Sequence, residues 1–331
     1  MARNDRIFYA CKAVLIQPTG QDPVASNVVK GLQSVGMSSN FTLDQVFEIG
    51  QLELYENIED VADVEVTLEK VIDGQPLIFN LTSDGKCKTD LVSAAKNRSD
   101  VYVAIYDDAQ SNATGTPRNV CWNSGMYISS VSYNYSVDGN ATESVTLVGN
   151  DKFWNADANS TGDNATAQYG AIATGFETET PPSGVVRRNG VDIGASAIPA
   201  EVESQKGDLA GNNNLHIQSI SVSADFGQEN ILELGRFGPY AKFVSFPIEV
   251  SSEFEVIATS GDLKSVSGIA ENLVDRTIRI QDSAGTILTL GDKNKLASIS
   301  YSGGDTGGGN ATVTYSYTNF NNLLVDDGGG T

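Results

Sequence analysis

Forty-two carboxylates, a single histidine and one glycine-dense loop are the features of this 331-residue chain whose types and spacing could do chemistry. Two acids at a suitable separation are all that glycoside hydrolysis requires. The regular Glu-x-Thr-x-Glu spacing of Glu65, Thr67 and Glu69, however, reads as one solvated strand face, and only Trp122 and Trp154 are available to line a sugar cleft. The histidine, His216, stands at the start of an expected strand without a Gly-x-Ser-x-Gly elbow or a Ser and Asp set around it, so no hydrolytic triad is expected. The loop lies in YSGGDTGGGNATVTYSY, Tyr301 to Tyr317. A phosphate loop needs Gly-Lys-Ser/Thr ahead of a helix, and a calcium β-helix repeat needs many stacked copies. This segment has no lysine, runs into a strand and occurs once, so it is read as a hairpin connection whose glycines permit positive φ. No catalytic, cofactor-binding or metal residue is assigned.

The elements around these residues alternate with period two. Val64, Val66 and Leu68 oppose Glu65, Thr67 and Glu69; Ile248, Val250, Phe254 and Val256 oppose Glu249, Ser251, Glu253 and Glu255. Each is a strand with one oily and one acidic face. Upstream of the first, the apolar phase slips between Phe47, Ile49 and Leu52, Leu54, which predicts a β-bulge at Gly50, with Gly235 at the matching place later. Helix is scarce: TDLVSAAKN reads as a short helix capped by Thr89 or Asp90, and DLKSVSGIAENLVD as its weaker counterpart.

The chain also repeats itself. QSVGMSSNF (Gln33 to Phe41) aligns with QSISVSADF (Gln218 to Phe226) at a shift of 185, as does VFEIG with ILELG; VEVTLE aligns with IEVSSE at 184, SSVSY with ASISY, and GNAT recurs. The matches keep one order, which predicts a tandem duplication of a β-rich domain. The expected boundaries are 1–150 for the first copy, 151–214 for a connector with an ordered clip near Arg187 and Arg188, 215–325 for the second copy and 326–331 for a flexible tail.

Composition narrows the function. A net charge of −21 and a pI near 4.3 leave no basic surplus to bind nucleic acid phosphates, whereas repulsion from DNA stays compatible with it. No apolar run approaches the roughly 18 residues of a membrane span, and MARNDRIFYA lacks a secretory apolar core, so a soluble, unexported protein is expected. On that reading the nine Asn-x-Ser/Thr sequons reflect an Asn- and Thr-rich β protein. The three widely spaced cysteines, Cys11, Cys87 and Cys121, are expected as buried free thiols.

NFTLDQVFEIGQLELYENIEDVADVEVTLEKVIDG, FPIEVSSEFEVIATSGD and KNKLASISYSGGDTGGGNATVTYSYTNFNN together resemble the tail tube (major tail) proteins of tailed bacteriophages and related viruses. The resemblance implies an all-β fold with minor α, built from two tandem β-sandwich or half-barrel domains, each with one short helix and long hairpin loops. It further implies a non-enzymatic virion protein of siphovirus type, assembled in the host cytoplasm. Such proteins stack as rings of six domains into a tube that conducts the genome, so a fused pair would need a homotrimer to make a pseudo-hexamer. The implied partners are other copies of the chain and the terminator, baseplate or tip, and tape-measure proteins, with the genome passing without sticking and no membrane involved. Glu65, Thr67, Glu69, Glu249, Ser251 and Glu253 become candidate lumen-facing residues, and Gly303, Gly304, Asp305, Gly307, Gly308 and Gly309 a candidate inter-ring or inter-subunit loop. The competing expectation is a virion decoration or receptor- and glycan-binding β-sandwich, supported if Tyr127, Tyr133, Tyr135, Tyr301, Tyr315 and Tyr317 cluster at the surface.

Overall fold

A computed structural model describes residues 7–21, 24–83, 87–106, 117–154, 183–207, 215–262, 264–266, 273–304, 306 and 309–328. The fold is all-β with minor α. Eight strands form one path of a large antiparallel sheet: β2 (Leu32–Asn40), β5 (Asp63–Val71), β9 (Thr142–Gly149), β8 (Asn119–Ser136), β11 (Ile217–Asp225), β14 (Glu249–Ile257), β18 (Thr312–Phe320) and β17 (Lys295–Ser302). The 18-residue β8 is long enough to serve twice. Its second half pairs with β9 and β11, and its first half with β7 (Ser99–Ile105) and β10 (Asp151–Trp154); β1 (Lys12–Pro18) continues from β7.

The order β2-β5-β9-β8 is followed in the same sense by β11-β14-β18-β17, and the registers match in detail. Leu32 lies opposite Lys70 and Ser34 opposite Glu69 with a bulge between them; Ile217 lies opposite Val256 and Ser219 opposite Glu255, again with a bulge. Likewise Ile128–Leu147 and Ser130–Thr146 correspond to Leu296–Tyr317 and Ser298–Ser316, each across a bulge. The counterpart of β5 therefore lies 186 residues on, two beyond the offset expected from VEVTLE and IEVSSE. Leu68 matches Phe254, and Glu69 matches Glu255. Because side chains alternate with period two, a two-residue error leaves every residue on its correct face and goes unseen in the hydrophobic pattern.

The buried face of the sheet packs on one continuous core that includes Leu68, Val145, Leu147, Val222, Phe254, Tyr315 and Tyr317. A small sheet covers part of it: β15 (Arg279–Gln281), β16 (Ile287–Thr289), β19 (Leu324–Asp326) and β6 (Lys88–Asp90). Through β19 the last described strand of the chain pairs with an element near its first quarter. Helix α1 spans Ile78–Leu81, α2 spans Leu91–Ala94 and α3 spans Ala200–Glu203. Asp90 caps α2 as expected, its carboxylate accepting from the Ser93 amide at 3.0 Å. The expected second-copy helix is not seen in its described residues, and the rest of that segment lies outside them. Residues 183–207 are held at both ends: the Val186 amide donates to Ile72, and Glu201 receives the Arg276 guanidinium on both oxygens together with the Tyr317 hydroxyl.

Two further expectations need correction. Gly50 and Gly235 are not strand bulges; each has positive φ, at 105° and 85°, in the turn of a two-stranded hairpin, β3–β4 (Leu43–Phe47, Leu54–Glu59) and β12–β13 (Gln228–Ile231, Ala241–Val244). Of the thiols, Cys121 is buried but Cys87 is exposed, and the side chain of Cys11 lies outside the described set.

One difference between the cores of the two halves is a buried pair of charged residues. Lys70 faces Glu143 across β5 and β9, both fully buried, whereas the matching pair on β14 and β18 is Val256 and Val313. Glu143 accepts from the amides of Ile78 and Phe79, at the start of α1, and from the Tyr133 hydroxyl. Lys70 lies 3.5 Å from Asp73 and donates to the carbonyls of Gln75 and Pro76. Burial pushes the Glu143 carboxyl above its ordinary value, against the pull of Lys70. Replacing Lys70 by Met removes that pull and leaves buried acids without their cation, which should cost about 3 kcal/mol at neutral pH. An acid whose folded pKa is raised stabilises the fold below its unfolded value and loses that contribution as the pH rises through the folded one. The deficit of Lys70→Met relative to wild type should therefore shrink as the pH falls toward 4.5, a trend readable from denaturant unfolding at several pH values.

Candidate interaction surface

The second face of the large sheet is not covered by any other described strand. Reading across it, β2 presents Ser34, Gly36 and Ser38; β5 presents Glu65, Thr67 and Glu69; β9 presents Ser144, Thr146 and Val148; and β8 presents Ser130, Ser132 and Asn134. The other half continues with Ser219, Ser221 and Ser223 on β11, Ser251, Glu253 and Glu255 on β14, Thr314, Ser316 and Thr318 on β18, and Ser298, Ser300 and Ser302 on β17. The candidate residues Glu65, Thr67, Glu69, Glu249, Ser251 and Glu253 thus share one exposed or half-buried face. Glu255, missing from that set, belongs to it.

Hydroxyls tie the carboxylates to neighbouring strands. Ser34 donates to Glu69 at 3.3 Å and Ser219 to Glu255 at 3.1 Å, equivalent bonds in the two halves, while Ser316 donates to Glu253 at 3.1 Å. Among the paired strand positions of this face, Lys295 at the β17 edge is the one base, and it lies 3.0 Å from Asp275. With that base held by a carboxylate, these hydroxyl and carboxylate positions offer a polyanion little to hold it.

Both ends of the eight-strand path are open among the described residues, β2 at one end and β17 at the other. The two hairpins, which connect β2 to β5 and β11 to β14, expose Ile49 and Leu52 in the turn of one and Leu234 and Phe237 in the turn of the other. Apolar side chains this exposed on paired projections mark contact surfaces. The amphipathic spacing of these residues matches that of a core strand, so sequence alone does not separate the two.

The glycine loop joins β17 to β18. Gly303, Gly304 and Gly309 have φ of 97°, 88° and 123°, and a Cβ on Gly303 would come within 2.7 Å of the Asn310 carbonyl. Glycine is therefore required at Gly303 for both backbone conformation and space. Asp305, Gly307 and Gly308 lie outside the described residues. The shorter β8–β9 connection through Asp138 and Gly139 occupies the equivalent place.

Of the tyrosines expected at a recognition surface, Tyr133, Tyr135, Tyr315 and Tyr317 are core residues, and Tyr301 is exposed on the β17 edge. His216 precedes β11, half-buried, and its Nε2 has no protein partner. Among the described residues no group of three His, Cys, Asp or Glu side chains is arranged to hold a metal, and no helix is long and apolar enough to cross a membrane.

No protein family model and no curated protein matches the chain. Among solved structures, a chain from the six-fold-symmetrised cryo-EM baseplate of the anti-feeding prophage superposes with a TM-score of 0.32 at 11% identity, over 45% of this chain and 95% of that one. At that score the likeness carries no argument about function.

The exposed position of the acids has a direct consequence for stability. Converting Glu65, Glu69, Glu253 and Glu255 to Lys should change stability by no more than about 0.5 kcal/mol per site, since none of these side chains is buried. Thermal unfolding of the fourfold variant checks this, and a collapse in melting temperature would show the face to be packed against something in the folded chain.

Proposed function

We propose that the chain is a structural, non-enzymatic virion protein that polymerises as stacked rings into a tail tube conducting the viral genome. The observation that carries the reading is the repeated four-strand unit. It joins head to tail into one sheet whose covered face is core, whose other face is hydroxyl-rich and acidic, and whose two ends are open among the described residues. In this reading the chain holds two tandem domains in the proportions expected from the repeat, three chains supply six domains, and the acidic face lines the lumen. Like charges on wall and DNA prevent the genome from sticking as it slides, because any firm phosphate contact would have to be broken repeatedly. The exposed hairpins and the glycine loop beside β17 then meet neighbouring subunits or rings, and the tube ends meet terminator, tip and tape-measure proteins in the virion tail. The alternative, a decoration or glycan-binding module, loses most of its tyrosines to the core.

Negative-stain microscopy of the purified chain should show hollow tubes or three-fold discs with a central pore. Persistent monomers that bind host cells or glycans would overturn the assignment. In assembled tubes, changing Glu65, Glu69, Glu249 and Glu253 to Lys should produce DNA retention that weakens with salt; tubes of this variant that leave DNA as free as wild type would sink the acidic-lumen role. Deleting Gly303 to Gly308 should leave the melting temperature of the chain nearly unchanged while reducing polymerisation, measured by light scattering.

A further inference from the structure

The junction between β8 and β11 is a template for a contact the chain has not made. There Ile220 lies opposite Tyr135, Val222 opposite Tyr133, Ser223 opposite Ser132 and Ala224 opposite Val131. The apolar members of these pairs are all buried. The strand equivalent to β11 is β2, 185 residues earlier, and the strand equivalent to β8 is β17, 168 residues later. These are the two open ends. Even the irregularities correspond: β2 and β11 carry their bulge at the same place, as do β8 and β17.

Side chains repeat the pattern. Tyr133 is fully buried at the junction, while its counterpart Tyr301 is 54% exposed; Val222 is buried, while Met37 is only half so. The contrast is sharpest one residue beyond the strands. Phe226 is 0% exposed, its amide donates to the Ser129 carbonyl at 2.8 Å, and its ring lies 6.5 Å from Phe79. Phe41, its counterpart, is 75% exposed.

We propose that β17 of one chain pairs antiparallel with β2 of a second copy of this chain in the register of β8 on β11. Met37 then lies opposite Tyr301 of the second copy, Ser38 opposite Ser300 and Ser39 opposite Ile299, and Phe41 enters the second copy as Phe226 enters the first half. The inference deepens the ring reading above and rests on its premise that chains self-associate. A second copy is the occupant because the two ends are unlike and each matches a strand already paired inside the chain. A slip of one residue would turn Tyr301 and Met37 to opposite faces, so the register is specified. Burying Phe41, Tyr301 and Met37 removes apolar surface from water along with both open ladders.

Cysteine pairing tests the register in the full chain, in a background carrying Cys11→Ser and Cys87→Ser. Ser38→Cys combined with Ser300→Cys should give a ladder of disulfide-linked multimers on a non-reducing gel. Ser38→Cys combined with Ser302→Cys places the thiols one diagonal apart, beyond good disulfide geometry, and should link at least about tenfold less. Phe41→Ala should abolish the ladder without lowering the melting temperature of the unassembled chain, whereas Phe226→Ala should lower it. Rings that form without the Ser38–Ser300 link, or with stronger linkage at Ser302, would overturn this pairing and leave the tube reading standing. A strong Ser38–Ser300 ladder with open chains in place of rings would uphold the pairing and overturn the tube. Monomers under all conditions would overturn both.

Discussion

The pairing of β8 with β11 is the interaction on which the rest of the molecule depends. A four-strand sheet leaves two rows of unpaired amides and carbonyls, and an edge of that kind must be covered, twisted away or paired. Here the last strand of one set meets the first strand of the next, running the ladder through the middle of the chain. Had the halves met by a two-fold operation, like edges would have paired and the outer ends would have been identical. Head-to-tail joining instead leaves ends of two kinds, which is the geometry of a heterologous contact that repeats. The buried side chains at the junction make it part of the core, so the two halves form one packed unit.

The halves have not stayed equivalent beneath the sheet. On β14 and β18 the core beneath the ladder is met by Val256 and Val313, the simplest way to fill a dry site. On β5 and β9 the same place holds Lys70 and Glu143, and the reason lies in what surrounds them. Glu143 takes the first amides of α1, which no residue within that four-residue helix caps, and Lys70 satisfies carbonyls of the turn leading into it. The buried charges thus organise a connection that the second half builds differently. Replacing such a pair by apolar groups is often harmless to stability in itself; here it would strip α1 of its cap.

Much of this was legible from period-two alternation and from repeated words in the sequence. The strand faces of Val64 to Glu69 and Glu249 to Glu255 follow from alternation alone, and the Asp90 cap follows from the residue types near α2. What escaped did so for physical reasons. Phe47, Ile49, Leu52 and Leu54 carry the apolar phase of a core strand but stand exposed on a hairpin, because hydrophobicity marks surface that is to be buried without saying by which chain. The two-residue error in aligning β5 with β14, and with it the omission of Glu255, arose because the pattern repeats every two residues. Helix α1 was invisible because its cap comes from Glu143, 65 residues away in sequence.

The arrangement of the acids across the sheet shows how one surface can be strongly negative without opposing its own assembly. Like charges directly opposite each other across a ladder are destabilising. The Glu-rich strands are β5 and β14, and each is flanked on both sides by strands that present no acid opposite a glutamate: the partners are serine and threonine, apart from Val148 opposite Glu65 and Phe320 opposite Glu249. Four strand spacings separate the two, about 19 Å at ~4.8 Å per strand, roughly twice the screening length at physiological salt. The same interval would recur across a junction of β17 with β2 of another copy, since β18, β17 and β2 are all hydroxyl-bearing strands. Repulsion between rows stays weak while the field above the face adds up. Period two keeps the tasks apart: the inward positions and the backbone carry cohesion, and the outward positions are free to carry charge.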